Sequence, residues 1–586
     1  MKKLFQVSSV CRGLTFLALL GFLNVTASTS AGEAEPEVTG IKAVCRNGQT
    51  FITWSDVAEG EEAARFFYAL YRSDKPITQK SLAAAECVQR DIFYNSARQF
   101  GYAFSEKSRL DPAKPMVVLE DGGQPLPMWS GVTAVTVQSD GTSYYAVVAT
   151  DKAGAVLTKV VPGKSATTEP VAEKVAPLKP IKVRESPTPL SGVRRLPLYL
   201  DLHSSNSGRT EDKIAAGESF YVASRAGDCD YYLYFARPEW GYRDGLQGVF
   251  AVLERRGTLV LVSRDCIERP LGNPLNFTME TFWFGYYCVP QWSPEKEPRA
   301  YPFTERRMLW VIDWTVKKYD ADPDRIYAGG GSMGAWGLST FAFRHPEIFA
   351  AIYPDRPRTR QKGLPSLTTR KVYCTDGPVL MDDGKTDYFL RMDMVKFASE
   401  HHEDLPFMGW NCGRADGFAS WQEEVDMVKA MAAAHHGFAF SWNNGNHGEG
   451  AASRGLVNKY YGPGTFARNR SYPAFSNSSI DNNMGSGDAK EGDLVGGINL
   501  GFAWKNVVDE AGKWSAAISN DLAKAEMTVD VTPRYCQKFK AKPSEKFKWT
   551  NSAGGAGEVA ADQWGLVTIE KVRIKPGEAT TLAISR

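Results

Sequence analysis

Short stretches in which apolar and polar residues alternate dominate the first part of the chain, from about Val38 to Val161. They are QTFITW (49–54), FFYALYRS (66–73), VTAVTVQS (132–139) and TSYYAVVATD (142–151), and a period of two predicts strands that each turn one face to a core. Residues 162–180 are rich in Pro, Lys, Ala and Thr without apolar periodicity, which predicts a linker. From Leu196 the pattern changes to continuous apolar runs: LPLYLDLH (196–203), TLVLVSRD (258–265), RIYAGGGS (325–332), FAAIYPD (349–355), PFMGWNC (406–412) and FAFSWNN (438–444). Helical stripes separate them. Met308, Val311, Ile312, Thr315, Val316 and Tyr319 form one, and Trp421, Val425 and Val428 form another behind a predicted capping box at Ser420 to Glu423. Strand and helix alternating in this way predict an α/β domain over 181–465 whose mostly parallel sheet carries helices on both faces. After about Thr465 a Ser, Asn and Gly-rich stretch (471–494) leads to short runs such as INLGFAWKNV and AEMTVDVTP, which predict a β-sandwich over 466–586.

The extreme N-terminus has a different pattern. Lys2 and Lys3 precede an apolar run from Leu14 to Val25, followed by small residues up to Ala31, the arrangement of a secretory signal peptide. The run is too short to span a bilayer, so cleavage after Ala27 or Ala31 is expected to leave a secreted or periplasmic protein with no membrane anchor. Of nine cysteines, Cys11 lies in this leader. The remaining eight permit disulfides without choosing a pairing, and none forms a CxxC or metal-ligand cluster. No cofactor and no catalytic metal are therefore expected.

Composition narrows the classes further. The 586 residues are 43% hydrophobic and 23% charged, which excludes wholesale disorder. Lys and Arg total 69 against 67 Asp and Glu, a net charge of +2, too balanced for a protein that lives on a phosphate backbone, so no nucleic-acid partner is expected. Aromatic residues make up 12% of the chain, which suits sugar-stacking surfaces and a large core equally well.

The most informative local signal is Gly330-Gly331-Ser332-Met333-Gly334, set between the apolar run RIYAG and a helix-like stretch closed by Pro346. A serine at a tight strand-to-helix turn needs glycine neighbours for room, and the helix start offers backbone N–H groups to developing negative charge. Ser332 is the expected nucleophile, with Met333 N–H as one oxyanion donor. A serine hydroxyl needs a general base, itself oriented by a third group. His203, His345, His401, His402, His435 and His436 all precede or sit outside the end of the final apolar run. His447 alone follows it, in the Gly-rich loop NNGNHGEG (443–450). Asp416 follows PFMGWNC in a turn just before the second helix, where an orienting carboxylate belongs; Asp404 and Asp426 are its competitors.

With these residues in place, 190–455 resembles an α/β-hydrolase serine esterase, and 305–337 is similar to secreted feruloyl-esterase and polyhydroxybutyrate-depolymerase sequences and to prolyl-oligopeptidase-like catalytic domains. The chain order Ser332, Asp416, His447 is that of the α/β-hydrolase family. Trp54, YALYRS and YYAVVATDKAG make 36–161 resemble a fibronectin type III module with an insertion between about Pro76 and Met128. The hydrolase resemblance implies acyl transfer through an acyl-serine intermediate. It also places a second oxyanion donor in the loop after His203, where Ser204 replaces the usual glycine and leaves Ser204 and Ser205 both open. Trp283 and Tyr286 in the aromatic loop 281–292, together with Trp336, are candidate substrate-binding residues, although Trp283 and Tyr286 fit a packing role equally well. The expected activity is hydrolysis of carboxylic esters on a small molecule or a decorated polysaccharide. The alternatives are a prolyl-oligopeptidase-like peptidase, a lipase or polyester depolymerase, and a glycan-binding scaffold without turnover.

Overall fold

The structure, a computed structural model, describes residues 35–97, 118–119, 123–151, 153–184, 186, 188–202, 218–222, 248–263, 283–284, 299–300, 302–360, 380–381, 383–449 and 454–586. The leader read in the sequence lies outside the described residues. Among those that are described, no helix is long and apolar enough to cross a membrane.

A ten-stranded sheet organises the site. Its strands are β1 (Ile181–Arg184), β2 (Leu198–Leu202), β3 (Glu218–Val222), β4 (Gly248–Arg255), β5 (Thr258–Ser263), β6 (Ile326–Gly331), β7 (Ala351–Asp355), β8 (Phe407–Gly413), β9 (Phe438–Asn443) and β10 (Gly496–Ile498). The spatial order is β10-β9-β8-β7-β6-β2-β5-β4-β3-β1. The six strands from β9 to β5 run parallel. β10 at one edge and β4, β3 and β1 at the other are antiparallel. The sheet is thus mixed rather than mostly parallel. The continuous apolar runs mark only its twice-covered centre, and the edge strands lack that signature. β4 and β5 form a hairpin closed by Arg256 and Gly257, both at positive φ (48° and 70°), the geometry of a two-residue turn that matches strand twist.

Five helices of seven residues or more lie in the described part of this region, besides the four-residue helix Tyr388–Arg391: α1 (Phe303–Tyr319), α2 (Met333–Arg344), α3 (Met394–Glu400), α4 (Trp421–Ala433) and α5 (Arg454–Tyr460). Side chains alternate between the two faces of the strands. Ile326, Ala328, Ile352, Met408, Trp410, Phe440 and Trp442 enter one core with residues of α1 to α4. Tyr327, Tyr353, Phe407 and Ala439 enter a second core, whose other walls are α5 and residues of the C-terminal strands, including Phe475, Trp514, Ile518 and Val529. Among the described residues, then, helices cover one face and the other is largely covered by β-structure, which corrects the expectation of helices on both faces. The capping box is corrected as well. Ser420 is the N-cap residue of α4 but its side chain makes no cap hydrogen bond, and Glu423 pairs instead with the buried Arg358 at 2.7 Å.

The C-terminal strands form a three-stranded antiparallel sheet (Tyr472–Ser476, Met527–Arg534, Ile569–Ile574) and a five-stranded one (Phe502–Glu510, Lys513–Asn520, Thr580–Ser585, Lys546–Asn551, Ala556–Ala560). At the other end of the chain, Thr39–Arg46, Gln49–Ser55 and Ser130–Thr136 form one sheet, and Glu86–Phe93, Phe67–Ser73, Gly141–Thr150 and Val171–Glu173 form another. Ile52, Trp54 and Val135 of the first sheet share a core with Tyr68, Leu70, Tyr145 and Val147 of the second. Glu86–Phe93 falls inside the expected insertion, and Val171–Glu173 inside the expected linker. That last strand escapes a periodicity search because polar contacts hold it: buried Glu173 accepts hydrogen bonds from Thr50, Ser143 and Tyr145 and pairs with Arg72 at 2.7 Å.

Candidate active site

β6 runs straight into Ser332, which sits at φ 54°, ψ −115°, and α2 begins at the next residue. Few non-glycine residues hold such angles, and strain of this kind persists where the surroundings over-determine it. They do so here. The Ser332 N–H donates to the Asp355 carbonyl at the end of β7 (2.9 Å), and the Trp336 N–H donates to the Ser332 carbonyl (3.0 Å). Gly330 has no freedom to be anything larger, because a Cβ there would lie 2.6–2.7 Å from the Gly334 backbone and from the Leu202 carbonyl oxygen.

The Ser332 hydroxyl lies 2.7 Å from His447 Nε2, and His447 Nδ1 lies 2.7 Å from Asp416 Oδ2. These three residues come from the loops after β6, β9 and β8. Asp416 Oδ1 also accepts the N–H groups of Phe418 (2.8 Å) and Ala419 (3.1 Å). Burial alone would push this carboxyl up. The bonds from His447, Phe418 and Ala419 outweigh it and hold the group below the usual carboxylate range. An ionised carboxylate only accepts, so His447 Nδ1 carries the proton and Nε2 is left to accept from the Ser332 hydroxyl. Burial also holds neighbouring acids neutral: the Cys412 thiol is raised well above its ordinary value, and Glu424, which accepts from Trp410 Nε1, is raised to about 8. Neither adds a negative charge beside Asp416 at neutral pH.

Two arginines brace the loops. The Arg414 guanidinium, in the same turn as Asp416, donates to the carbonyls of Ala489 (2.6 Å), Glu491, Gly492 (3.3 Å) and Asp493 (2.6 Å) and lies over the Trp421 ring. Arg356 follows β7 and donates to the His447 carbonyl oxygen and to Asp355. Neither arginine was singled out in the sequence, because each acts on backbone carbonyls, which leave no mark there. Phe418 was also missed. It is 59% exposed with its ring 4.9 Å from the His447 ring, and a large apolar residue two positions beyond Asp416 was its only signal.

Most of the competing residues are engaged elsewhere, and His203 lies outside the described residues. Asp404 pairs with Arg534 (2.9 Å) and Asp426 with Arg360 (2.6 Å). His345 faces Glu305 and Glu347, His401 faces Glu403, His402 stacks on Trp564, and His436 bonds the Ala398 carbonyl. Met333 opens α2, where a backbone N–H has no partner within the helix. Ser204, Ser205 and Tyr286 lie outside the described residues; β2 ends at Leu202, paired in register with Gly330. Trp283 is 1% exposed and belongs to the core of the central sheet. Trp336 is buried in the first turn of α2, beneath the Arg358 guanidinium at 5.5 Å. The described cysteines Cys45, Cys87, Cys412 and Cys536 are free thiols, and Cys229, Cys266, Cys288 and Cys374 lie outside the described residues. Among the described residues no group of three His, Cys, Asp or Glu side chains is placed to hold a metal.

No family model matches the chain. A curated protein, acetylxylan esterase A of Emericella nidulans, is 42% identical over 41 residues, a match that covers 7% of this chain and 14% of that protein. Solved structures to which the chain is similar include a ferulic acid esterase (15% identity, 43% of this chain and 79% of that one, TM-score 0.26). Others are an S-formylglutathione hydrolase from Agrobacterium tumefaciens (14%, 43% and 78%, 0.28) and a putative dipeptidyl aminopeptidase IV from Bacteroides ovatus (11%, 56% and 45%, 0.29).

Proposed function

We propose that the chain is an exported α/β-hydrolase that cleaves carboxylic esters, with Ser332 as nucleophile, His447 as general base and acid, and Asp416 as the orienting carboxylate. The observation that carries this reading is the unbroken hydrogen-bond chain from the Ser332 hydroxyl through both nitrogens of His447 to Asp416, at 2.7 Å for each link. His447 Nε2 takes the hydroxyl proton as Ser332 Oγ attacks the ester carbonyl. The Met333 N–H and an N–H of Ser204 or Ser205 receive the oxyanion, and the imidazolium returns its proton to the leaving alcohol. Water then repeats the sequence on the acyl-serine. His447 is 24% exposed and Asp416 is fully covered, as befits a base that meets substrate and a carboxylate that does not.

The substrate class we favour is an acylated polysaccharide, and the short match to a protein named acetylxylan esterase A makes acetyl esters the first to test. The N-terminal β-module at 36–161 acts as a fibronectin type III-like spacer or weak glycan contact, and the C-terminal strands as a structural cap on the hydrolase. The exposed Phe418 ring beside His447 is better placed to meet an acyl or sugar group than Trp283. Labelling with a fluorophosphonate probe, followed by a panel of acetylated, feruloylated and methyl-esterified sugars and Pro-containing peptides, tests the proposal. Ser332→Ala is expected to abolish both labelling and turnover, a loss on the order of 10⁴-fold or more. A wild-type protein that stays unlabelled favours the scaffold reading, and turnover confined to peptides favours a peptidase.

A further inference from the structure

We propose that Arg356 is a positioning residue for the base: its guanidinium holds the loop carrying His447 against the strand end that carries Ser332. The inference rests on the role given to Ser332 and His447 above. Arg356 is the first residue beyond β7, and one side of its fork donates to Asp355 Oδ2 (3.1 Å) while the other donates to the His447 carbonyl oxygen. Asp355 is 1% exposed and fixed in turn, since Asn411 Nδ2 donates to its carboxylate (2.7 Å) and its carbonyl accepts the Ser332 N–H (2.9 Å). A continuous set of hydrogen bonds therefore joins the backbone of the nucleophile to the backbone of the histidine.

The loop needs such a tie. Residues 443–449 bond largely to one another: Asn443 Nδ2 to the Glu449 carbonyl, the Gly445 N–H to Asn443 Oδ1, and the Gly448 N–H to Asn446 Oδ1. The Ala415 N–H to Gly445 carbonyl bond (3.0 Å) fixes the loop on the acid side. Arg356 fixes it on the nucleophile side. The backbone points the same way. Arg356 sits at φ 59°, with its N–H on the Asn411 carbonyl (2.8 Å). Glycine is the low-strain choice at such a position, so an arginine there is kept for its side chain. A planar fork spans two fixed acceptors, which a lysine ammonium does not.

Arg356→Gly separates side chain from backbone, because glycine adopts φ 59° without strain. Folded Arg356→Gly and Arg356→Ala are expected to lose about 10- to 100-fold in kcat on p-nitrophenyl acetate, with KM within about threefold, since a misplaced base costs turnover rather than binding. Fluorophosphonate labelling of Ser332 slows by the same factor. Arg356→Lys recovers part of the loss, and millimolar guanidinium restores Arg356→Gly where sodium chloride does not. A folded Arg356→Gly that turns over and labels at the wild-type rate overturns the proposal, and if the Gly and Ala variants do not fold, a fully active Arg356→Lys overturns it instead. The underlying reading fails in a different way, through a Ser332→Ala protein that keeps turnover.

Discussion

The two ends of the chain are both built from paired antiparallel sheets, yet they relate differently to the central sheet. At the N-terminal end, Ile52, Trp54, Tyr68, Tyr145 and Val147 close a core among themselves, and Ile181 of β1 joins only a small neighbouring cluster with Phe51, Val132 and Ala134. At the C-terminal end there is no separate core. Trp514, Ile518 and Val529 pack with Tyr327, Tyr353 and Phe407 of the central strands, and β10 extends the sheet itself. A module with its own core can be lost without the central sheet, whereas a module that is one wall of that sheet's core cannot.

Deletion gives the widest separation. A protein lacking 35–176 is expected to remain folded and to hydrolyse esters with kcat/KM within about threefold of the full chain, whereas one lacking 466–586 yields no soluble active protein. Near-UV circular dichroism with an ester assay reads both. Folding of the shorter C-terminal deletion would break the contrast. Single core truncations repeat it more gently. Ile518→Ala is expected to cost about 2–5 kcal/mol and to lower the inactivation temperature. Ile52→Ala costs a similar amount in calorimetry of the N-terminal transition and leaves inactivation unchanged.

Arg414→Met comes next. It empties a buried socket of four carbonyls and is expected to cost about 3 kcal/mol, read by denaturant titration, with slower turnover as the Asp416 turn loosens.

The last contrast is in pH and leaves turnover untouched. Burial raises Asp56, in the N-terminal module, from 3.8 to about 7, against the hydrogen bond from the Asn95 N–H. A carboxyl that binds its proton more tightly when folded contributes most at low pH, and that contribution falls as pH rises from about 4 to about 7. Asp56→Asn is expected to remove this fall from the N-terminal melting transition, measured at pH 4.5 and 7.5, without altering turnover.

Much of the central sheet was legible because its parallel strands are mostly apolar and buried along nearly their whole length, IYAGGG and FMGWNCG at every residue. The Ser332 turn was legible because Gly330 has a steric reason to be glycine, and His447 and Asp416 because each follows such a strand in a polar loop. β10 was not, since Gly496–Ile498 is three residues with no period. Nor was the dependence of the Asp416 turn on 489–493, a Gly, Asp and Lys-rich stretch that reads as a loose connection. What holds that turn is a set of backbone carbonyls, which any sequence supplies and none advertises. The edge strands β1, β3 and β4 were missed because antiparallel pairing at a sheet edge needs less apolar surface.

The Arg414 socket also sets an order of assembly. The carbonyls that grip this arginine are made after the nucleophile, the carboxylate and the imidazole have all been synthesised. If these groups act as proposed, a nascent or clipped polypeptide holds every reactive group and is still idle, becoming competent only once its tail has docked.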